Sequence, residues 1–239
     1  MRSVILLICL GVVSFASRTQ AGEFAGVSIR MVGSGTYADL PIPIAGQAKV
    51  HAGVPLIQRY VEFPETGREF EIVITPHVVP LCVVVVVDGH NVLTGERVTR
   101  FNEKSAAGRG FVLTRKQPYA IEGWRETAQY VRRFRVADSW KSLSWQLSGD
   151  PAAAGTIAVA CFRAAGSAGL RGEVGSLGTS AGTRVHSPVA VVDWRSEPLA
   201  CELFALRYIG AREAAILRSR RAQAKVDAGF IGLLPGEEW

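Results

Sequence analysis

The hydrophobic pattern of the chain peaks in one unbroken run. Residues 81–95 read LCVVVVVDGHNVLTG, and five valines, 83 to 87, follow one another with no polar residue between them. Valine is stiff at χ1 and packs well on a pleated surface. A half-exposed strand alternates apolar and polar positions. This run does not, so it predicts a strand covered on both faces. Residues 78–87 are about half the ~20 residues that a membrane-spanning helix needs, and they contain Pro80, which suits the start of a strand. Asp88-Gly89 then ends the run. Glycine accepts positive φ and aspartate tolerates it, so the pair is a strong turn signal.

Other segments take their meaning from this one. Phe70, Ile72 and Ile74 alternate with Glu69, Glu71 and Thr75, which predicts a strand with one buried and one wet face, stopped by Pro76. Residues 110–114, 119–126, 130–136 and 155–163 read as further strands, the last apolar at Ile157, Val159 and Cys161. Residues 49–64 hold an edge strand broken by Gly53 and Pro55. Residues 137–151 read as a long loop carrying Trp140 and Trp145, and residues 188–194 and 199–208 as two later strands. Residues 211–228 form the one helical pattern, with Gly229 as its stop and a mostly alanine apolar side that predicts shallow docking. Short strands at turn-bounded intervals without helical crossovers predict an all-β protein. The expected fold is an antiparallel β-sandwich, immunoglobulin-like or jelly-roll-like, with a C-terminal strand pair and one helix. The expected division is a signal peptide at 1–21, a loosely ordered lead-in at 22–54, the sandwich at 55–163, a Gly-rich linker or loop at 164–184, and the C-terminal strands and helix at 185–239.

The first 21 residues set the expected destination. Arg2 supplies a positive start, residues 3–16 an apolar stretch too short to span, and Thr19-Gln20-Ala21 small residues at the positions that a signal peptidase reads. Cleavage is expected before Gly22. The mature chain, about 218 residues, is long enough for a real core. It is expected to be exported, periplasmic or extracellular, with no membrane span. Its cysteines, Cys82, Cys161 and Cys201, all lie in strand-like runs. One disulfide plus a free thiol, or three small buried apolar residues, fit equally. The formal charge is +6, with the basic residues spread along the chain and clustered most tightly at Arg132-Arg133-Arg135 and Arg218-Arg220-Arg221. Such spreading favours a solvated basic face over a nucleic-acid partner.

Five motifs in order, VVVDGHNVLTG (residues 85–95), GFVL (110–113), IEGWR (121–125), VRRFRV (131–136) and GTIAVACF (155–162), form a combined pattern. In that pattern the chain resembles a family of exported bacterial proteins of uncharacterised function. The resemblance spans residues 59–163. It implies a fold and export to the cell envelope, and it implies no reaction. Members of that family carry LGTGHG where this chain has Leu177-Gly178-Thr179-Ser180-Ala181-Gly182, so their histidine has no counterpart here.

Candidate chemistry is sparse. Gly178-Thr179-Ser180-Ala181-Gly182 matches the G-x-S-x-G of a serine hydrolase elbow, but no strand leads into it and no helix leaves it. The same glycines lack the G-K-[ST] ending of a phosphate loop. Neither the histidines nor the cysteines have metal-ligand spacing, and no cofactor or metal is expected. The oxygens of Asp88, Asn91, Thr94 and Glu96 do not match an EF-hand, which leaves side chains capping their own turn. His90, in that turn, is expected to be exposed. Gly123, Trp124 and Arg125 read as structural: close approach, core filling, and an ion pair to Asp88 or Glu126. Trp140 and Trp145 are the best binding candidates, since exposed aromatic faces stack on sugars or on proteins. The competing reading has them cap the open end of the sandwich. The expected function is therefore a non-enzymatic envelope module with a binding or structural role, an envelope protein or glycan its candidate partner and Trp140, Trp145 and His90 its candidate ligand contacts. A carbohydrate-binding module using the loop tryptophans is the alternative, and a serine hydrolase at Ser180 ranks below it.

Overall fold

A computed structural model describes residues 20–32, 37–39, 44–51, 54–63, 66–99, 101, 109–138, 141–148, 153–165, 183–189 and 194–221. The fold is all-β: two sheets packed face to face, with two short helices among the described residues. The first sheet runs β1 (Gln20–Ala21), β2 (Ala25–Val32), β6 (Glu69–Pro76), β12 (Tyr130–Arg135), β11 (Gly123–Arg125). Beside this path β3 (Tyr37–Asp39) pairs with β2, β10 (Tyr119–Ile121) with β6, and β14 (Arg184–His186) with β12. The second sheet runs β4 (Ile44–His51), β5 (Val54–Glu62), β15 (Glu202–Ile209), β13 (Thr156–Arg163), β7 (Leu81–Val87), β8 (His90–Asn91), with β9 (Phe111–Leu113) also on β7. The helices are α1 (Leu143–Ser148) and α2 (Ala211–Arg221). No helix among the described residues is long and apolar enough to cross a membrane.

The valine run is the strand its composition predicts, and every residue of β7 is buried. Its two faces enter two different clusters. Val83, Val85 and Val87 meet Ile29, Phe70, Ile72, Phe134, Ile157 and Phe204 between the sheets. Cys82, Val84 and Val86 meet Val98, Ala158, Ala160, Phe162 and Leu203 on the far side of the second sheet, where Phe101 and Trp194 also cover them. β13 pairs with all of β7 and is likewise buried on both sides, at Ala158, Ala160 and Phe162 as well as at the apolar positions Ile157, Val159 and Cys161. The Asp88-Gly89 turn is a two-residue hairpin with φ of 49° and 78°, joining Val87 to His90. Positive φ at both positions matches the twist of the flanking strands.

Several expectations need correction. Residues 25–32, within the expected loose lead-in, form β2, which pairs with β6 over eight positions and buries Val27 and Ile29 completely. The sheets are not wholly antiparallel: β5 and β15 run parallel from Leu203↔Leu56 to Ile209↔Glu62. A parallel neighbour needs a long connection, and here strands of both sheets, β6 to β14, lie between the two in the chain. The pairing also puts the second C-terminal strand in the middle of the second sheet. Pro188, Val189 and Trp194, the described residues of the first expected C-terminal strand, are not strand; β14 precedes them. Glu71, expected on a wet face, is only 1% exposed, held between Arg30 and Arg133. The basic cluster is engaged throughout: Arg132 pairs with Glu126, Arg133 lies near Glu69, Glu71 and Glu122, and Arg135 pairs with Glu69. The helix begins at Ala211 as expected and docks shallowly, with Ala214 buried against Ile209 and Tyr60 while Ile216 stays exposed. The stretch beyond residue 221 and the side chains of Arg218, Arg220 and Arg221 lie outside the described residues, as do residues 166–182 of the expected 164–184 linker, with Ser180.

Cys82, Cys161 and Cys201 are free thiols. Burial pushes the Cys82 thiol up to about 12 and the Cys201 thiol up to about 11. Thiolate is the reactive form, so these groups are chemically quiet at neutral pH.

Candidate functional site

One end of the sandwich gathers polar groups from both sheets. Asp88 ends β7, Gly155 precedes β13, and Tyr208 lies near the end of β15. Because β13 lies between the other two strands, these three positions come side by side. The Asp88 carboxylate accepts the Gly155 N–H at 2.8 Å and the Tyr208 hydroxyl at 2.6 Å, while the Asp88 N–H donates to the Thr156 carbonyl at 2.9 Å. One residue thus latches three strands. The Tyr208 ring packs edge-on against Phe63, 5.1 Å between centroids, so its body lies in the core and its hydroxyl at the rim.

A cavity of about 60 Å³ opens beside this latch, lined by Asp88, Tyr208, Arg135, Lys141, Ser142 and Gln146 together with Ala137. Arg135 comes from the end of β12 in the first sheet. Lys141, Ser142 and Gln146 come from the segment expected to be a loop, which instead winds into α1. Ser142 explains the helix: its Oγ accepts the Trp145 N–H at 3.2 Å, as a capping residue does. Trp145, 44% exposed, is the chain neighbour of Gln146, which lines the cavity, but is not itself among the lining residues. The segment supplies one wall of the cavity, and Trp145 is an exposed aromatic next in the chain to Gln146 on that wall. Basic side chains supply charge there: Arg135 reaches Glu69 at 3.2 Å, and Lys141 lies 3.7 Å from Asp138.

Burial is the largest influence on Asp88 and pushes its carboxyl from an ordinary 3.8 up to about 6, against the opposing bonds from Tyr208, Gly155 and Thr156. The phenol of Tyr208 is pushed well up by burial and by Asp88 itself. The folded state therefore holds the Asp88 proton more tightly than the unfolded chain. This group's contribution is fully present below pH 3.8 and is lost as pH rises through about 6. The difference is on the order of 3 kcal/mol at most. Asp88→Asn should remove that slope while keeping an acceptor oxygen. Urea unfolding of both proteins from pH 4 to 8 checks it. Parallel pH profiles would show that Asp88 titrates normally.

The other residues singled out from the sequence separate into two groups. Asn91 caps its own turn, with Oδ1 accepting Leu93 N–H at 2.7 Å and Thr94 N–H at 3.2 Å, and its Nδ2 donates to the Arg109 carbonyl at 2.8 Å. Gly89 completes the hairpin. His90 is buried, not exposed: it pairs with Val87, and its Nδ1 lies 2.9 Å from the Asp88 carbonyl. Desolvation holds its imidazole below the usual range, and it does not line the cavity. The strand bridge of His90 with Arg97 and the Val98 N–H bonded to the Gly89 carbonyl at 3.0 Å cover this hairpin. Trp124 fills the core, edge-on to Phe134 at 5.5 Å. Gly123 has no room for a Cβ, which would lie 1.9 Å from the Arg132 carbonyl oxygen. Arg125 is buried and donates to the Ser187 carbonyl rather than to Asp88 or Glu126, whose carboxylates are taken by Tyr208 and Gly155 and by Arg132 and Arg184. Trp140 lies outside the described residues. Arg135, Lys141, Ser142, Gln146 and Tyr208 were not anticipated from sequence as a site. The one available signal was Tyr208, an inward position of β15 whose hydroxyl needs a partner.

Compared with known proteins, the chain matches no family model, no curated protein and no solved structure. Fold and site together define a β-sandwich with a polar cavity at one end and an exposed aromatic beside it.

Proposed function

We propose that the protein is an exported, non-enzymatic β-sandwich module of the bacterial cell envelope, and that it binds its ligand at the cavity beside Trp145. The observation that carries this reading is the grouping of Arg135, Lys141, Ser142 and Gln146 around the Asp88–Tyr208 latch. Asp88 is committed to fold bonds there, which favours recognition over turnover. The N-terminal pattern of residues 1–21 and the resemblance over residues 59–163 support export. Thiols raised by burial suit an oxidising compartment, because they react slowly. The pairing of Arg132, Arg133 and Arg135 with glutamates supports a partner other than nucleic acid. Co-sedimentation with purified cell-wall sacculi and envelope vesicles tests the reading. Binding should fall about tenfold or more in Arg135→Ala and Gln146→Ala. Binding untouched by both, or labelling of Ser180 by a fluorophosphonate probe, would overturn it.

A glycan ligand is the second reading, and the exposed ring of Trp145 favours it. An aromatic face beside amide, hydroxyl and guanidinium groups suits a sugar, with the ring stacking and the polar groups meeting hydroxyls. On a glycan array, Trp145→Ala should lose at least about tenfold in affinity, matching a hot-spot aromatic. Glycan binding that ignores Trp145, and Trp140→Ala alike, would end this reading.

A further inference from the structure

Glu202 opens β15 yet is only 1% exposed. Its carboxylate accepts three consecutive backbone N–H groups, from Glu23 at 2.7 Å, Phe24 at 3.2 Å and Ala25 at 3.1 Å. No lysine or arginine is paired with it among the described residues. Its titratable neighbours are His77, Cys201 and Cys161. All three N–H groups belong to the residues just after Gly22. Gly22 is itself pinned: its N–H donates to the Ala25 carbonyl at 2.8 Å, and its carbonyl lies 3.0 Å from His77 Nδ1. A Cβ on Gly22 would fall 2.0 Å from Glu202 Oε1, so the residue is pressed against the carboxylate. The backbone nitrogen lies about 2.5 Å from a Cβ position, which puts the Gly22 nitrogen within about 4.5 Å of that oxygen. This is the residue before which the signal pattern places cleavage.

We infer that buried Glu202 is the receptor for the chain's own processed N-terminus, the α-ammonium of Gly22. The inference rests on the export reading. An exported peptidase adds water across the Ala21–Gly22 amide: the C–N bond breaks, a C–O bond forms at the Ala21 carbonyl carbon, and the proton goes to the Gly22 nitrogen. The leader departs with Gln20 and Ala21, which hold only two pairings on β2. The new ammonium then joins three N–H groups already converging on the carboxylate, and an unpaired buried charge becomes a paired one. Processing would thereby complete the junction between the first strand of one sheet and the central strand of the other. Gly22 is glycine because nothing larger fits beside the carboxylate.

The test uses the chain beginning at Gly22, released in vitro by a site-specific protease, with and without E202Q. The readout is the rate at which the α-amine is acylated by an amine-reactive ester at pH 7. A paired ammonium resists deprotonation, so the wild type should react about tenfold more slowly than E202Q. Equal rates would overturn the docking. If E202Q does not fold, the wild type is compared with Gly22→Ala, in which the added methyl displaces the terminus and should restore ordinary reactivity; equal rates again overturn it. The intact mass of protein recovered from an exporting bacterium tests the export reading separately. A mass beginning at Gly22 supports both, and another start refutes the processing step whatever the acylation rates.

Discussion

Val85→Asp is expected to abolish folding. Val85 is 1% exposed in the centre of β7, paired with Val159 of β13 and in one buried cluster with Ile72 and Phe134 of the other sheet. A carboxylate there has no partner and no water, and an unpaired buried charge costs several kcal/mol. That is most of the ~5–15 kcal/mol that a domain has. A milder pair of substitutions separates the two faces of the strand. Val84→Ala and Val85→Ala should each destabilise by about 2 kcal/mol, since both side chains are buried, in different clusters. Urea unfolding reads both. If Val84→Ala were neutral, the outer face of the second sheet would be wet, contrary to the packing of Val98, Phe162 and Leu203 on it.

Gly123→Ala is expected to cost about 3 kcal/mol, at the upper end of overpacking effects. The new methyl would meet the Arg132 carbonyl oxygen at 1.9 Å, its carbon at 2.4 Å and the Arg133 Cα at 2.7 Å. All three are backbone atoms of the paired strand, so nothing flexible can give way, and β11 must separate from β12. The melting midpoint should fall by roughly 6–12 °C for a chain of this size. Gly210→Ala is the control. Nothing lies within 4 Å of its Cβ position, and its change should stay within about 0.5 kcal/mol. Equal effects at the two glycines would contradict the close approach of β11 and β12.

The local signals read well where one segment determines its own surroundings. Five valines need cover on both faces, and Asp88-Gly89 turns sharply whatever lies beyond it. The start of α2 at Ala211 and the capping role of Asn91 are legible for the same reason. β2 shows a different case. Ala25, Val27, Ile29 and Met31 do alternate with Gly26, Ser28 and Arg30, but glycine and mixed polarity mask the period. Glu71 defeats alternation because Arg30 and Arg133 neutralise and cover it, and a strand pattern carries no record of cross-strand partners. The parallel pairing of β5 with β15 joins positions about 150 residues apart, beyond the reach of periodicity. The cavity is least legible of all. Asp88, Arg135, Ser142 and Tyr208 are strangers in sequence, and each is polar for a local reason until the fold brings them to one end of the sandwich. Trp145 was visible because a tryptophan in a polar stretch stands out alone.

Site and core meet in β7, whose buried length carries Asp88 to the cavity. Native-state hydrogen exchange measures this directly. The amides of Val83, Val84, Val85, Val86 and Val87, with those of partner strand β13 from Ile157 to Cys161, should be among the slowest in the molecule, opening only with global unfolding. Exchange of these amides within minutes under native conditions would contradict a strand sealed between two layers.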